Sequence, residues 1–115
     1  MPRDPLSTIF AALADPTRRA ILERLRAGEA SVVELAEPFA LSVRAISKHI
    51  GVLEAAGLVT RERDGQRRPS RIRAEPLAHV DRWLEGYRQL WNRRFDRLDE
   101  RLKRQQKGKH HDPTG

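Results

Sequence analysis

The sequence contains no cysteine in its 115 residues. This absence excludes disulfide bonds, thiolate metal sites and catalysis by a thiol. Because small secreted domains usually depend on disulfides, we expect the protein to act in the cytoplasm. The opening residues lack the apolar run of a signal peptide, and no stretch approaches the roughly 20 apolar residues of a membrane span. We therefore expect no membrane partner.

Known catalytic motifs are also missing from the chain. It has no glycine-rich phosphate loop, and its serine, histidine and aspartate residues follow no known catalytic spacing. We therefore expect neither an enzyme nor a bound cofactor.

Positive charge is what the chain has in excess. The formal net charge is +7, and charged residues make up 34% of the sequence against 38% hydrophobic ones. A basic balance of this kind favours a polyanionic partner, either nucleic acid or an anionic surface. Residues 61–73 alone carry six arginines against two acids. The length fits one domain with a modest core.

Capping residues and apolar spacing predict five helices, the last one long. Their expected ranges are 6–14, 16–28, 31–38, 43–56 and 76–105. Between the last two, short β-prone runs flank Asp64-Gly65, a hairpin-turn signal. The predicted fold is therefore mainly α with a small β-hairpin, a winged helix-turn-helix over residues 1–105. Residues 106–115 are predicted to be a disordered tail.

The fourth helix and the hairpin carry the residues expected to touch double-stranded DNA. Recognition helices insert their first turns into the major groove, and basic wings contact phosphates. The predicted DNA-binding residues are Ser42, Val43, Arg44, Ala45, Ser47, Lys48 and His49 on the helix, with Arg61, Arg63, Arg67, Arg68 and Arg71 on the wing. Two alternatives stay open, a protein-docking winged helix and a DNA binder of low sequence specificity.

Two apolar stripes predict a homodimer. They lie on the first and last helices and exceed what a small core can cover. The predicted dimerisation residues are Leu6, Ile9, Phe10, Leu13, Leu77, Val80, Leu84, Tyr87, Trp91 and Phe95. A two-fold axis would match a near-palindromic operator.

Several segments resemble the ArsR-type (arsenic-repressor-like) bacterial regulators. They are residues 14–22 (ADPTRRAIL), 33–36 (VELA), 42–49 (SVRAISKH) and 53–59 (LEAAGLV). The resemblance covers about residues 6–100. It implies a winged-helix homodimer in the bacterial cytoplasm, bound to the nucleoid when on DNA. It also implies repression that an effector relieves, although the sequence does not identify a small-molecule effector.

Metal sensing, the best-known activity of these regulators, is not expected here. Their thiolate site follows a Glu-Leu pair, but residues 34–39 (ELAEPF) contain no soft ligand. His79 and Asp81 stand two residues apart, on different sides of a helix, and no second histidine follows on that helix. His110 and His111 alone do not complete a site.

Overall fold

The computed structural model describes residues 4–108, except for the side chains of residues 95, 96 and 105–108. Within this range the chain forms five helices and a two-stranded antiparallel sheet, which confirms the predicted winged helix-turn-helix. The elements are α1 (Pro5–Leu13), α2 (Pro16–Leu25), α3 (Val32–Ala36), α4 (Val43–Ala55), β1 (Val59–Arg61), β2 (Ser70–Ile72) and α5 (Glu75–Gly108). No helix in this range is long and apolar enough to cross a membrane.

Side-chain caps fix the starts of the first four helices. In each case the oxygen of the capping side chain accepts a hydrogen bond from a backbone N–H three residues later, which would otherwise lack a partner. The caps are Asp4, Asp15, Ser31 and Ser42, at 2.9, 3.0, 3.1 and 3.1 Å. At α3 the Glu34 carboxylate also accepts from the backbone N–H of Ser31, so the two residues form a capping box.

The apolar core lies in a compact unit that extends to Val80. Helix α4 packs against α1, α2, α3 and β1. Its inner face consists of Ile46, Ile50 and Leu53, all fully buried as the apolar spacing predicts. The core therefore holds α4 by one face and leaves the opposite face to solvent.

Helix α1 is covered more fully than the sequence suggested. The prediction that its apolar stripe has no partner in the central motif is wrong for Ile9, which is only 3% exposed, and for Leu13, which packs against the core. The reason is that α1 contacts both α2 and α4. Leu6 is half-buried, and Phe10 keeps 39% of its surface exposed. Val80 at the start of α5 also packs against the core.

The hairpin forms the wing. Val59 pairs with Ile72 and Arg61 with Ser70 in the antiparallel register. Ala30, just before α3, adds a bridge to Ser70 with backbone hydrogen bonds of 2.8 and 3.1 Å. The wing is thereby tied to the helix-turn-helix at its base.

Helix α5 runs to Gly108, beyond the predicted end at Gln105. The remainder of the predicted tail, residues 109–115 with His110 and His111, lies outside the described residues. The chain divides into two compact units, and the boundary between Val80 and Asp81 falls within α5.

Candidate nucleic-acid interface

The second helix of the helix-turn-helix, α4, begins at an exposed first turn. The hydroxyl of Ser42 accepts the Ala45 N–H at 3.1 Å, which sets the first residue of the helix at Val43. Val43 is 47% exposed, and Arg44 is also exposed. The helix therefore presents an apolar and a cationic side chain beside a free helix N-terminus, which attracts phosphate.

The outward face of α4 carries two cations. Arg44 and Lys48 are one turn apart and both exposed, with Gly51 and Ala55 continuing the same line along the helix. Neither cation forms an ion pair with any described residue. Of the other predicted DNA-binding residues here, Ala45 and Ser47 are only partly exposed. The accessible positive charge of α4 thus belongs to Arg44 and Lys48.

His49 lies at the junction between α1 and α2 rather than freely on the outer face. Its Nδ1 is 3.3 Å from a guanidinium nitrogen of Arg18 and 3.9 Å from a carboxylate oxygen of Asp15. The side chain of His49 is 24% exposed. Hydrogen bonding from the Arg18 backbone N–H, followed by the charges of His49 and Arg18, lowers the pKa of Asp15.

The sequence reasoning did not find the role of Arg18 and Arg19. Arg18 donates to the backbone carbonyls of Ala11 and Ala12, at 3.1 and 2.7 Å, and Arg19 donates to that of Leu13 at 2.7 Å. These carbonyls lie in the last turn of α1, where intrahelical donors run out, although the Ala11 carbonyl also accepts the Ala14 N–H at 3.3 Å. The signal was available, because both arginines belong to the segment ADPTRR that carries the family resemblance.

Two of the five predicted wing arginines are in ion pairs. Arg61 is 2.8 Å from the Glu54 carboxylate at the end of α4, and its side chain is only 19% exposed. Arg71 pairs with Glu29 and lies 3.9 Å from Glu62. Hydrogen bonding to Glu29 and its charge raise the pKa of Arg71. These two arginines hold the wing to the body of the first unit.

The other three predicted wing arginines are exposed, and none forms an ion pair with a described residue. Arg63, Arg67 and Arg68 surround a tight turn in which the backbones of Asp64 and Arg67 exchange hydrogen bonds of 2.8 and 3.0 Å. Gly65 adopts the left-handed conformation in this turn, with φ +66°. The wing tip therefore presents three accessible positive charges close together in the sequence.

A comparison with known proteins agrees with this geometry. A helix-turn-helix domain family matches residues 13–62. The chain is 38% identical to the transcriptional repressor SdpR of Bacillus subtilis over 61 residues, which cover 53% of this chain and 68% of SdpR. The crystal structure of the ArsR family transcriptional regulator RHA00566 is 44% identical and superposes with a TM-score of 0.71, over 77% of this chain and 98% of that one. The chain belongs to the ArsR family.

A second similar structure is the homodimeric winged helix-turn-helix DNA-binding domain Mb0332 of Mycobacterium bovis, described as a possible ArsR-family transcriptional regulator. It is 28% identical, with a TM-score of 0.61 over 75% of this chain and 80% of that one. Family membership makes this chain a transcriptional regulator rather than an enzyme. No three metal-ligating side chains lie together within residues 4–108, leaving aside the undescribed side chains of residues 95, 96 and 105–108.

The second unit of this ArsR-family chain presents an apolar helix face. Trp83 and Tyr87 lie one turn apart, with ring centroids separated by 5.0 Å. Together with Leu84, Leu90 and Trp91 they line an apolar groove, which Arg94 also lines. Six large apolar side chains of this unit are between 36 and 58% exposed, namely Trp83, Tyr87, Leu90, Trp91, Leu98 and Leu102. The side chain of Phe95, also predicted to lie in the dimer seam, is outside those that the structure describes.

Proposed function

We propose that this chain is a transcriptional repressor that binds double-stranded DNA as a homodimer on a near-palindromic operator. In this proposal it acts in the bacterial cytoplasm and associates with the nucleoid when bound. The observation that carries the proposal is the outward face of α4, where Arg44 and Lys48 are exposed and have no acidic partner among the described residues. The similarity to SdpR, which is named a transcriptional repressor, supports the direction of regulation.

Helix α4 would enter the major groove with its first turn. Arginine can donate two hydrogen bonds to guanine, and an exposed aliphatic side chain can contact the methyl group of thymine. Arg44 and Val43 supply these two functions from adjacent positions. Ser42 at the cap and Ser47 in the second turn would donate to base edges or phosphates. The wing arginines Arg63, Arg67 and Arg68 would contact phosphates of the neighbouring groove.

Homodimer formation would set the form of the operator. The exposed apolar face of α5 is the surface proposed to be shared, and the homodimeric solved relative supports this arrangement. Two-fold symmetry would place the two α4 helices about 34 Å apart, on successive major grooves of one face of the duplex. The proposed operator is therefore a pair of inverted half-sites.

The test is binding of the purified protein to DNA from upstream of its own gene, measured by fluorescence anisotropy against a random duplex of equal length. Arg44→Ala should lose roughly 1–3 kcal/mol on the cognate duplex and relax the base preference at one position. Arg26→Ala is the matched control, because Arg26 is equally a surface arginine but pairs with Glu23 on α2, away from α4. This control should bind like the wild type.

Two other results would favour one of the two alternative functions instead. Equal losses by Arg44→Ala on cognate and random duplexes would indicate a DNA binder without base readout. Absence of DNA binding at low salt would contradict the proposal and favour a protein-docking winged helix. A preference for the cognate duplex that Arg44→Ala reduces would support base-specific recognition.

A further inference from the structure

The contact between Arg18 and His49 determines which ring nitrogen of His49 carries the proton. A guanidinium group can only donate hydrogen bonds. At 3.3 Å from the Arg18 guanidinium, Nδ1 of His49 must therefore be the acceptor. In the neutral ring the proton then resides on Nε2. Nδ1 is engaged within the protein, whereas Nε2 donates to no described residue.

The position of His49 on α4 selects the kind of acceptor that Nε2–H can reach. His49 is five residues beyond Arg44, which places it about 140° around the helix axis from that outward-facing side chain. It therefore lies on the inner flank of α4, next to the buried line of Leu53, rather than on the outermost line of the helix. Side chains on the flank of a helix in the major groove face the sugar-phosphate walls rather than the base edges. A quarter of the His49 side chain remains exposed for such a contact.

We propose that Arg18 is a positioning residue for DNA binding, which holds His49 in the Nε2–H tautomer so that the ring donates a hydrogen bond to a DNA phosphate. This inference rests on the proposed function, since it requires α4 to lie in the major groove. It adds a second task to Arg18, which also donates to the carbonyls of Ala11 and Ala12 at the end of α1. One guanidinium thus links the end of α1 to the flank of the helix that contacts DNA.

The charges around the ring are those of Arg18 and Asp15. Both belong to the start of α2, and both face Nδ1. A proton on Nδ1 would point at the Arg18 guanidinium, which disfavours it because both groups are donors. The Asp15 carboxylate, in contrast, would favour a proton on Nδ1. With Arg18 present, Nδ1 is engaged and we expect His49 to bind DNA through Nε2–H. Without Arg18, Asp15 alone faces the ring, and the Nδ1–H form becomes accessible.

The first experiment needs no DNA. Nitrogen-15 NMR of the histidine rings in the full chain at pH 7.5 distinguishes the two tautomers, and His49→Phe identifies the signal. The wild type should show the Nε2–H form, and Arg18→Gln should shift the signal towards a mixture. Arg19→Gln is the matched control, because Arg19 also donates to a carbonyl at the end of α1 but does not contact His49. It should leave the His49 signal unchanged.

The second experiment measures affinity for the cognate and random duplexes. His49→Phe should weaken both by roughly tenfold or more, the effect of one hydrogen bond to a charged group. The salt slope should change little, because lysine and arginine contacts to phosphates set that slope and this variant keeps all of them. If Arg18 acts through His49, adding Arg18→Gln to His49→Phe should cost no further affinity. Arg19→Gln should bind like the wild type.

Three results would overturn the inference. They are an Nδ1–H ring in the wild type, a salt slope that falls in His49→Phe, and additive losses in the double variant. The first is independent of DNA, so it applies even if Arg18→Gln does not fold. If no duplex is bound at all, the proposed function fails while the tautomer measurement still tests the link between Arg18 and His49.

Discussion

Individual arginines of this chain differ in what they can do for DNA binding, although the sequence presents them alike. Arg61 and Arg71 are held in ion pairs with Glu54 and Glu29, whereas Arg67 and Arg68 are not. Sequence reasoning could place all of them on a basic hairpin from the Asp64-Gly65 turn signal. It could not identify the paired ones, because their acids come from α4 and from the segment before α3, brought together only by the fold.

The wing tip should supply binding that does not depend on base sequence. Replacing both Arg67 and Arg68 by alanine should weaken binding to every duplex and reduce the slope of log K against log salt by up to about 2, because fewer counterions are released. Titrations at several salt concentrations measure this slope. Arg26→Ala again serves as the control for loss of a surface charge. An unchanged slope in the double variant would argue against wing contact.

At the scale of elements, the helix starts were the most predictable feature. A capping side chain and the N–H that it binds are three residues apart, so both are visible in one short stretch of sequence. The C-terminal ends of the helices were less predictable. The end of α1 depends on Arg18 and Arg19, which reach it only because of the angle between α1 and α2. The burial of Ile9 has the same origin, since it depends on how α1 packs against α4.

The carboxylate caps should make stability depend on pH in the acid range. The pKa values of Asp4, Asp15 and Glu34 are lowered, chiefly by hydrogen bonds from the backbone N–H groups of Ser7, Arg18 and Ser31 respectively. A pKa lowered in the folded state stabilises the protein above the unfolded-state pKa, and that stabilisation disappears as the pH falls below about 4. The urea midpoint should therefore decrease between pH 5 and pH 3.

A triple variant, Asp4→Asn, Asp15→Asn and Glu34→Gln, tests whether these carboxylates cause the pH dependence. The new side chains keep an acceptor oxygen at each cap but cannot titrate. Its urea midpoint should change less over the same pH range than that of the wild type. Identical pH profiles for the two proteins would show that these caps do not produce the acid sensitivity.

Gly51 offers a separate test within α4. A Cβ atom at this position would meet nothing within 4 Å, and the backbone shows no left-handed conformation. Gly51→Ala should therefore stabilise the protein by about 1 kcal/mol through helix propensity. Gly57→Ala is the contrasting control and should destabilise it, because Gly57 has φ +78°. Urea unfolding measures both. A destabilised Gly51→Ala variant would reveal a constraint on this position that the structure does not explain.

For the whole molecule, the absence of cysteine separates this chain from the thiolate metal sensors of its family. We expect DNA affinity to stay unchanged when Zn²⁺ or arsenite is added at modest concentration. Anisotropy titrations with and without each ion provide the measurement. Repeating them on a chain lacking residues 106–115 removes His110 and His111. A large loss of affinity that persists in the shortened chain would disclose a metal site elsewhere.

Oligomeric state is the remaining property of the whole molecule, and the face of α5 bears on it most directly. Its aromatic and leucine side chains stay partly exposed within the second unit, although burying apolar surface is worth about 25 cal/mol per Å². A second copy of the same face would cover them, and an interface of about 1,600 Å² in total is usual for a stable pair.

Charged replacements at Leu84 and Trp91 should therefore yield monomers that lose most of their DNA affinity, since one recognition helix cannot span two half-sites. Gln89→Glu also introduces a charge into α5, but at a position about 140° around the helix axis from Leu84 and about 160° from Trp91. This variant should remain dimeric, because its new charge lies away from the proposed dimer face. Sedimentation velocity distinguishes these outcomes. A wild-type chain that stays monomeric at micromolar concentration, yet binds a palindromic site tightly, would contradict the dimer.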